Sequence, residues 1–238
     1  DGGITVLDAS EGVQSQSETV WRQADNYNVP RICFINKMDK LGADFFATIE
    51  DIKEKFGVTP EVMVLTMGSE NDFKGVIQLL ERKALFWKDS EKATEPEVMD
   101  IPAEYVEQVE ALRAELVEQI AEADDALLEK FFAGEELELN ELKRGLRKAV
   151  IGYRLVPVYA GSSLKNTGVQ PVLDAVVEYL PSPVDVDHIT GVNPKTTLEE
   201  TKESIEVLSK KRKLLYAPRG INEKRYRLLE GTEKKGPW

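Results

Sequence analysis

The stretch that decides the fold is Arg31-Ile32-Cys33-Phe34-Ile35-Asn36-Lys37-Met38-Asp39. Its first half is mostly apolar and predicts a buried strand, while its end carries an amide, an ammonium and a carboxylate. The run 3–9 is also apolar, and residues 14–27 between the two runs follow a helical pattern with one apolar face. Strand, helix and strand joined by short links form a βαβ unit, which predicts a parallel sheet with a right-handed crossover.

The polar end of this stretch has the groups needed to recognise guanine. In open parallel sheets, ligands bind outside the carboxyl ends of the strands, and Asn36, Lys37, Met38 and Asp39 lie at such an end. The Asp39 carboxylate can accept hydrogen bonds from both the ring N–H and the exocyclic amine of guanine. Asn36 can bond the base or tie neighbouring loops together, and the stem of Lys37 can lie over the ring. Taken alone, the Asn-Lys-x-Asp tetrapeptide is more typical of a solvated turn than of a guanine site.

A second polar loop follows a second predicted strand. Residues 154–160 are strand-like, and Gly161-Ser162-Ser163-Leu164 comes directly after them. Small residues let a backbone approach a ligand closely, so the amides of Ser162, Ser163 and Leu164 can donate to the guanine carbonyl oxygen. A helix is predicted over residues 169–180.

The rest of the first 180 residues contains a predicted insertion. A helix over residues 43–56 and a strand over 61–68 continue the βα pattern, which then lapses over 69–152. That region predicts short strands within 73–87 and two amphipathic helices, an acidic one over 103–132 and a more basic one over 139–150. We interpret the acidic helix as a solvated face, with a partner-binding surface as the alternative.

Composition limits the class of protein. At 238 residues, with 42% apolar and 31% charged residues, the chain is typical of globular proteins, and no apolar run approaches the ~20 residues that cross a bilayer. The net charge of −12 argues against a generally nucleic-acid-binding surface. The single cysteine, Cys33, is predicted to be buried in the strand. Because the chain has only one cysteine, disulfides and Cys-based zinc sites are excluded.

Taken in order over residues 1–194, these segments resemble the GTPase domain of the elongation factor G family. The resemblance rests on residues 1–14, 18–24, 29–31, the Asn36–Asp39 motif, 161–166, 168–170, 173–176 and 179–183, with Ser163 where the family usually has alanine. It implies an α/β fold, a P-loop-GTPase-like parallel sheet flanked by helices, with an inserted mostly helical α+β subdomain. It also implies GTP or GDP as ligand, the ribosome (rRNA and ribosomal proteins) as partner, a cytoplasmic location and no membrane. The guanine-binding residues that it implies are Asn36, Lys37, Met38, Asp39, Gly161, Ser162, Ser163 and Leu164.

One departure concerns the phosphate side of the site. The chain has no Gly-x-x-x-x-Gly-Lys-Ser/Thr phosphate loop, and its only histidine, His188, is interpreted as a linker residue. In the family the catalytic elements precede the segments found here. We therefore expect a fragment that lacks the N-terminal part of the domain, contains no catalytic residue and is inactive alone. Its Mg²⁺ would be bound only in the intact protein.

The predicted organisation has five parts: GTPase core over 1–68, insertion over 69–152, core again over 153–183, linker over 184–198 and basic tail over 199–238. The tail does not resemble the β-barrel that follows in the family, and a short helix over 198–208 is its one predicted element. We interpret it as disordered or aberrant, with RNA contact as the alternative. For function, the alternatives to a translocation factor are a non-catalytic ribosome-interaction module and a ribosome-protection paralogue.

Overall fold

The computed structural model describes residues 2–87 and 95–182, Asp185, and the backbone of four short strands between residues 188 and 228. The chain divides into two compact units, one of which is Gly2–Leu180, while the other contains Pro181–Trp238. None of the described helices is long and apolar enough to cross a membrane.

The first unit is built on a four-stranded parallel sheet. Its strands are β1 (Gly3–Asp8), β2 (Arg31–Asn36), β3 (Pro60–Val62) and β8 (Val156–Ala160), and they lie in the order β1-β2-β8-β3. The centre of β2 and all of β8 are buried, as expected for strands covered on both faces. Cys33 is buried in β2 as predicted, and burial raises the pKa of its thiol to about 12. The predicted α/β fold with a parallel sheet is confirmed.

Three helices flank this sheet: α1 (Ser15–Asn26), α2 (Phe45–Phe56) and α6 (Val169–Tyr179). The Trp21 ring of α1 stacks on Phe56 of α2 at a centroid distance of 4.0 Å, and the Arg31 guanidinium lies 4.1 Å from the centroid of the same indole. The Asp44 side chain accepts a hydrogen bond from the Ala47 amide and caps the start of α2. These contacts fix α1 and α2 against each other beside β2.

The predicted strand over 61–68 is wrong as a single element. Its first part is β3 of the parallel sheet, whereas β4 (Val64–Met67) begins a separate antiparallel sheet. The break falls at Met63, whose amide donates to the Val158 carbonyl at 3.0 Å while its own carbonyl accepts from the Leu79 amide at 3.1 Å. Because Met63 bonds to both sheets, the chain changes sheets there without leaving a backbone group unpaired.

The insertion contains the other three strands of the antiparallel sheet that β4 begins, and three helices. The remaining strands are β5 (Gly75–Gln78), β6 (Lys83–Phe86) and β7 (Glu97–Met99), in the order β4-β5-β6-β7. The helices are α3 (Val106–Glu122), α4 (Asp125–Phe132) and α5 (Leu139–Ile151). The prediction of one helix over 103–132 is wrong, because the Asp124 side chain accepts from the Ala126 amide and starts α4 as a new helix.

The insertion packs directly on the GTPase-like core. The Arg147 guanidinium of α5 donates to the carbonyl oxygens of Glu178 at 2.7 Å and Leu180 at 3.0 Å, at the end of α6. Lys143, one turn earlier on α5, pairs with Glu178 at 3.0 Å and with Glu81 at 2.8 Å. The predicted subdomain is therefore part of the same compact unit as the core.

In the second unit the described elements are strands. The antiparallel pairs are β9 (His188–Val192) with β10 (Glu199–Glu203), and β11 (Leu214–Tyr216) with β12 (Arg227–Leu228). The predicted helix over 198–208 is wrong for 199–203, because ladder pairing with β9 holds that segment extended. Its remainder and the basic run 210–213 lie outside the described residues, and His188 belongs to a strand rather than to an irregular linker.

Candidate guanine-recognition site

The two predicted loops meet at the carboxyl ends of β2 and β8. The Asn36 side-chain oxygen accepts hydrogen bonds from the amide of its neighbour Lys37, at 2.8 Å, and from the Ser163 amide, at 2.9 Å, although Ser163 is 127 positions away in sequence. The Met38 amide donates to the Gly161 carbonyl at 3.1 Å, and the Gly161 amide donates to the Ile35 carbonyl at 2.9 Å. Asn36 therefore ties the loops together, which is one of the two roles that its amide allows.

The Asp39 carboxylate is available to a ligand. It is partly buried on the turn that follows β2, and within the described residues no protein group donates a hydrogen bond to it. A partly desolvated carboxylate with free acceptor positions is suited to a ligand edge that carries two N–H donors. This is the group that the guanine interpretation requires.

Lys37 lies in the left-handed region, with φ 64°, and its ammonium binds the Asp8 carboxylate at 2.7 Å. Asp8 ends β1 and also accepts from the Ser10 amide and hydroxyl, at 3.0 and 2.7 Å, and from the Lys40 ammonium, at 3.2 Å. Burial opposes ionisation of Asp8, but these hydrogen bonds outweigh it and hold its pKa well below the usual value. Sequence reasoning missed Asp8, although its place at the end of a parallel strand was a usable signal.

In the second loop, two of the three backbone amides that were predicted to face the base donate to protein groups instead. The Ser162 amide donates to the Thr167 carbonyl at 2.8 Å, and the Thr167 amide returns a bond to the Ser162 carbonyl at 3.0 Å. The Ser163 amide is engaged by Asn36. Of the three amides predicted to face the base, only that of Leu164 has no protein acceptor within the described residues, and the Leu164 residue is 89% exposed. The Ser162–Thr167 bridge and the bond from Ser163 to Asn36 are the reasons for this difference.

Met38 contributes through its backbone alone. Its side chain is fully buried in the hydrophobic core, so it anchors the turn rather than lining a ligand site. A cleft of about 260 Å³ borders the loop, and its lining includes Asn36, Lys37, Asp8 and Glu11. That volume lies below the ~300–1,000 Å³ of complete small-molecule pockets. The cleft adjoins the first loop, and neither Asp39 nor residues 161–164 belong to its lining.

Comparison with known proteins gives the family of this chain. A family model described as the elongation factor Tu GTP binding domain matches residues 1–182. The chain belongs to this family. Residues 1–182 therefore belong to the GTP-binding domain family of the translational GTPases, a class that uses GTP and GDP with Mg²⁺.

A solved structure with a similar fold is the crystal structure of a protein from Thermus thermophilus. The TM-score is 0.71 at 29% sequence identity, and the match covers 82% of this chain and 30% of that one. The GTP-binding domain described here thus spans less than a third of the length of that protein.

Among the described residues there is no group of three or more His, Cys, Asp or Glu side chains that could hold a metal. Asp8, the carboxylate that binds Lys37, is occupied by two ammonium groups and Ser10.

We expect Gly161→Ala to destabilise the GTP-binding domain by ~1–3 kcal/mol, the usual cost of overpacking. A Cβ at this position would lie 2.4 Å from the Thr167 carbonyl oxygen and 3.1 Å from the Phe34 ring, so the backbone of one loop must move. Urea denaturation measures the change. Gly3→Ala is the matched control, because its Cβ would meet only side-chain atoms, at 3.7 Å or more. Equal effects of the two substitutions would contradict the close approach at Gly161.

Proposed function

We propose that this chain carries the guanine-reading part of a cytoplasmic translational GTPase of the elongation factor G type. In the intact protein, hydrolysis of GTP would be coupled to the movement of tRNA and mRNA on the ribosome. The observation that carries the proposal is the bond from Ser163 to Asn36, which brings both loops together beside the Asp39 carboxylate, to which no described protein group donates. The family match supports the GTPase class, and the insertion supports the elongation factor G type.

Each residue of the site has a defined role in this proposal. Asp39 accepts from the ring N–H and the exocyclic amine of guanine, and Asn36 holds the loops in register. The Lys37 stem covers the base while its ammonium stays on Asp8. The Leu164 amide donates to the guanine carbonyl oxygen. Adenine presents the opposite donor order along the edge that Asp39 contacts, so its binding would leave buried polar groups unpaired.

In this proposal, few groups of the chain bind the phosphates of the nucleotide. The sequence has no Gly-x-x-x-x-Gly-Lys-Ser/Thr loop, and phosphoryl transfer depends on groups that cradle the phosphates and the metal. We therefore propose that the chain alone binds guanine nucleotides weakly and does not hydrolyse GTP. We also propose that ribosome contacts of the intact protein include the insertion, whose helices α3 and α5 pack on β3 and α6 of the core.

The test is an NMR titration of the ¹⁵N-labelled chain with GMP, GDP and AMP up to millimolar concentrations. We expect GMP and GDP to shift the amide signals of the two loops with similar weak affinities, and AMP to leave them unchanged. Equal shifts with AMP and GMP would contradict guanine recognition. Micromolar binding of GDP with much weaker binding of GMP would contradict the absence of a phosphate site.

A further inference from the structure

Glu70, the first residue of a single 3₁₀ turn at Glu70–Asp72, bonds to the turn that carries Asp39 at two points. Its amide donates to the Met38 carbonyl at 2.7 Å, and its carboxylate accepts from the Gly42 amide at 2.7 Å. Met38 and Gly42 lie on either side of Asp39 in the chain. Glu70 thus holds both flanks of the residue that would read the base.

Apart from Glu70, the Met38 flank is held by the Met38 amide, which donates to the Gly161 carbonyl at 3.1 Å, and by the buried Met38 side chain, so the Gly42 flank is where Glu70 adds most. Within the turn, the Lys40 amide donates to the Lys37 carbonyl at 2.9 Å and the Ala43 amide to the Lys40 carbonyl at 3.1 Å. These are local turn bonds, and among the described residues no group donates to the Asp39 carboxylate itself. The direction of that carboxylate therefore depends on how firmly the Met38 and Gly42 backbone is held.

The position of Glu70 is itself well determined. Its backbone lies in the left-handed region, with φ 56°, a conformation that costs a non-glycine residue about 1 kcal/mol or more and persists only where the surroundings enforce it. Phe73, buried at the end of the same 3₁₀ turn, donates its amide to the Glu70 carbonyl at 3.3 Å. The turn is thus anchored to the core at one end and to the Asp39 loop at the other.

We infer that Glu70 is a positioning residue for guanine specificity, through which the first turn of the insertion sets the direction of the Asp39 carboxylate. This inference rests on the proposed function, because it assigns a role within the same site. Glu70 does not touch the base. Its effect is to keep both carboxylate oxygens of Asp39 directed at the two donors of guanine, so that the second hydrogen bond is made as well as the first.

The experiment measures that second bond by comparing GMP with IMP, which lacks the exocyclic amine. Affinities for both are measured by NMR titration for the wild-type chain, Glu70→Ala, Glu70→Gln and the control Asp72→Ala. A hydrogen bond to a charged group is worth ~1.5–3 kcal/mol, so the wild-type chain should prefer GMP by about tenfold or more. We expect Glu70→Ala to remove most of this preference and Glu70→Gln, which keeps a side-chain oxygen for Gly42, to retain it. Asp72→Ala removes a nearby exposed carboxylate and should leave the preference unchanged.

The outcomes separate this inference from the function on which it rests. A preserved GMP preference in Glu70→Ala, together with faster hydrogen exchange at the Gly42 amide, would show that Glu70 only supports the fold, and would overturn the inference alone. Equal losses of GMP and IMP affinity in that variant would overturn it as well. Failure of the wild-type chain to distinguish GMP from AMP would overturn the proposed function and this inference together.

Discussion

Replacing Asp39 by asparagine is expected to weaken GMP binding by about tenfold to a hundredfold and to strengthen XMP binding. The carboxylate accepts from both donors of guanine, and each hydrogen bond to a charged group contributes ~1.5–3 kcal/mol. The amide introduced by Asp39→Asn has only one acceptor oxygen, so one guanine donor would face an N–H. Xanthine has a carbonyl in place of the amine, and the amide can donate to it while accepting from the ring N–H.

The measurement is the ratio of GMP to XMP affinity, by NMR titration of this chain and by nucleotide binding in the full-length protein. Because no described protein group bonds to the Asp39 carboxylate, the substitution should leave the unfolding midpoint unchanged. Asp125→Asn, the same change at an exposed position in the first turn of α4, is the matched control. Unaltered GMP affinity in the Asp39 variant would remove Asp39 from the guanine site.

The meeting of Asn36 with Ser163 could be predicted from sequence, because it depends on regular features. Apolar runs followed by polar residues identify the ends of buried strands, and parallel strands place those ends at one edge of the sheet. The order of the strands along the chain and the family resemblance were then enough to predict that two loops 127 residues apart lie close together. Their contacts with guanine stay a prediction.

Features that depend on single hydrogen bonds could not be predicted in this way. The apolar pattern does not show that the chain changes sheets at Met63. Both β3 and β4 are strand-like, and only the hydrogen-bond partners of Met63 distinguish the two strands. The role of Glu70 was missed for a similar reason. It is a common polar residue in a turn, and its importance appears only when the distance to the Gly42 amide is known.

Glu61 makes the stability of the domain depend on pH in the direction opposite to that of most carboxylates. It lies in β3 and is only 5% exposed. Burial raises its pKa to about 8 from an ordinary 4.5, and the negative charge of Glu115 on α3 adds to the shift. Between these two values the folded chain holds a proton that the unfolded chain has released. The free energy of unfolding therefore falls as pH rises through this window.

We expect the wild-type chain to lose on the order of 3 kcal/mol of stability between about pH 5 and about pH 8, since each unit of pKa shift corresponds to ~1.4 kcal/mol. Glu61→Gln removes the ionising group, so the variant should lack this contribution and be the more stable protein above about pH 8. Urea denaturation of both proteins at several pH values gives the difference profile, in which contributions from all other titrating groups cancel. Glu115→Gln is the matched control: it retains Glu61 and removes only the smaller cause, so most of the slope should remain. Parallel profiles for wild type and Glu61→Gln would show that Glu61 is already ionised in the folded chain, and that α3 packs beside β3 without excluding water from its carboxylate.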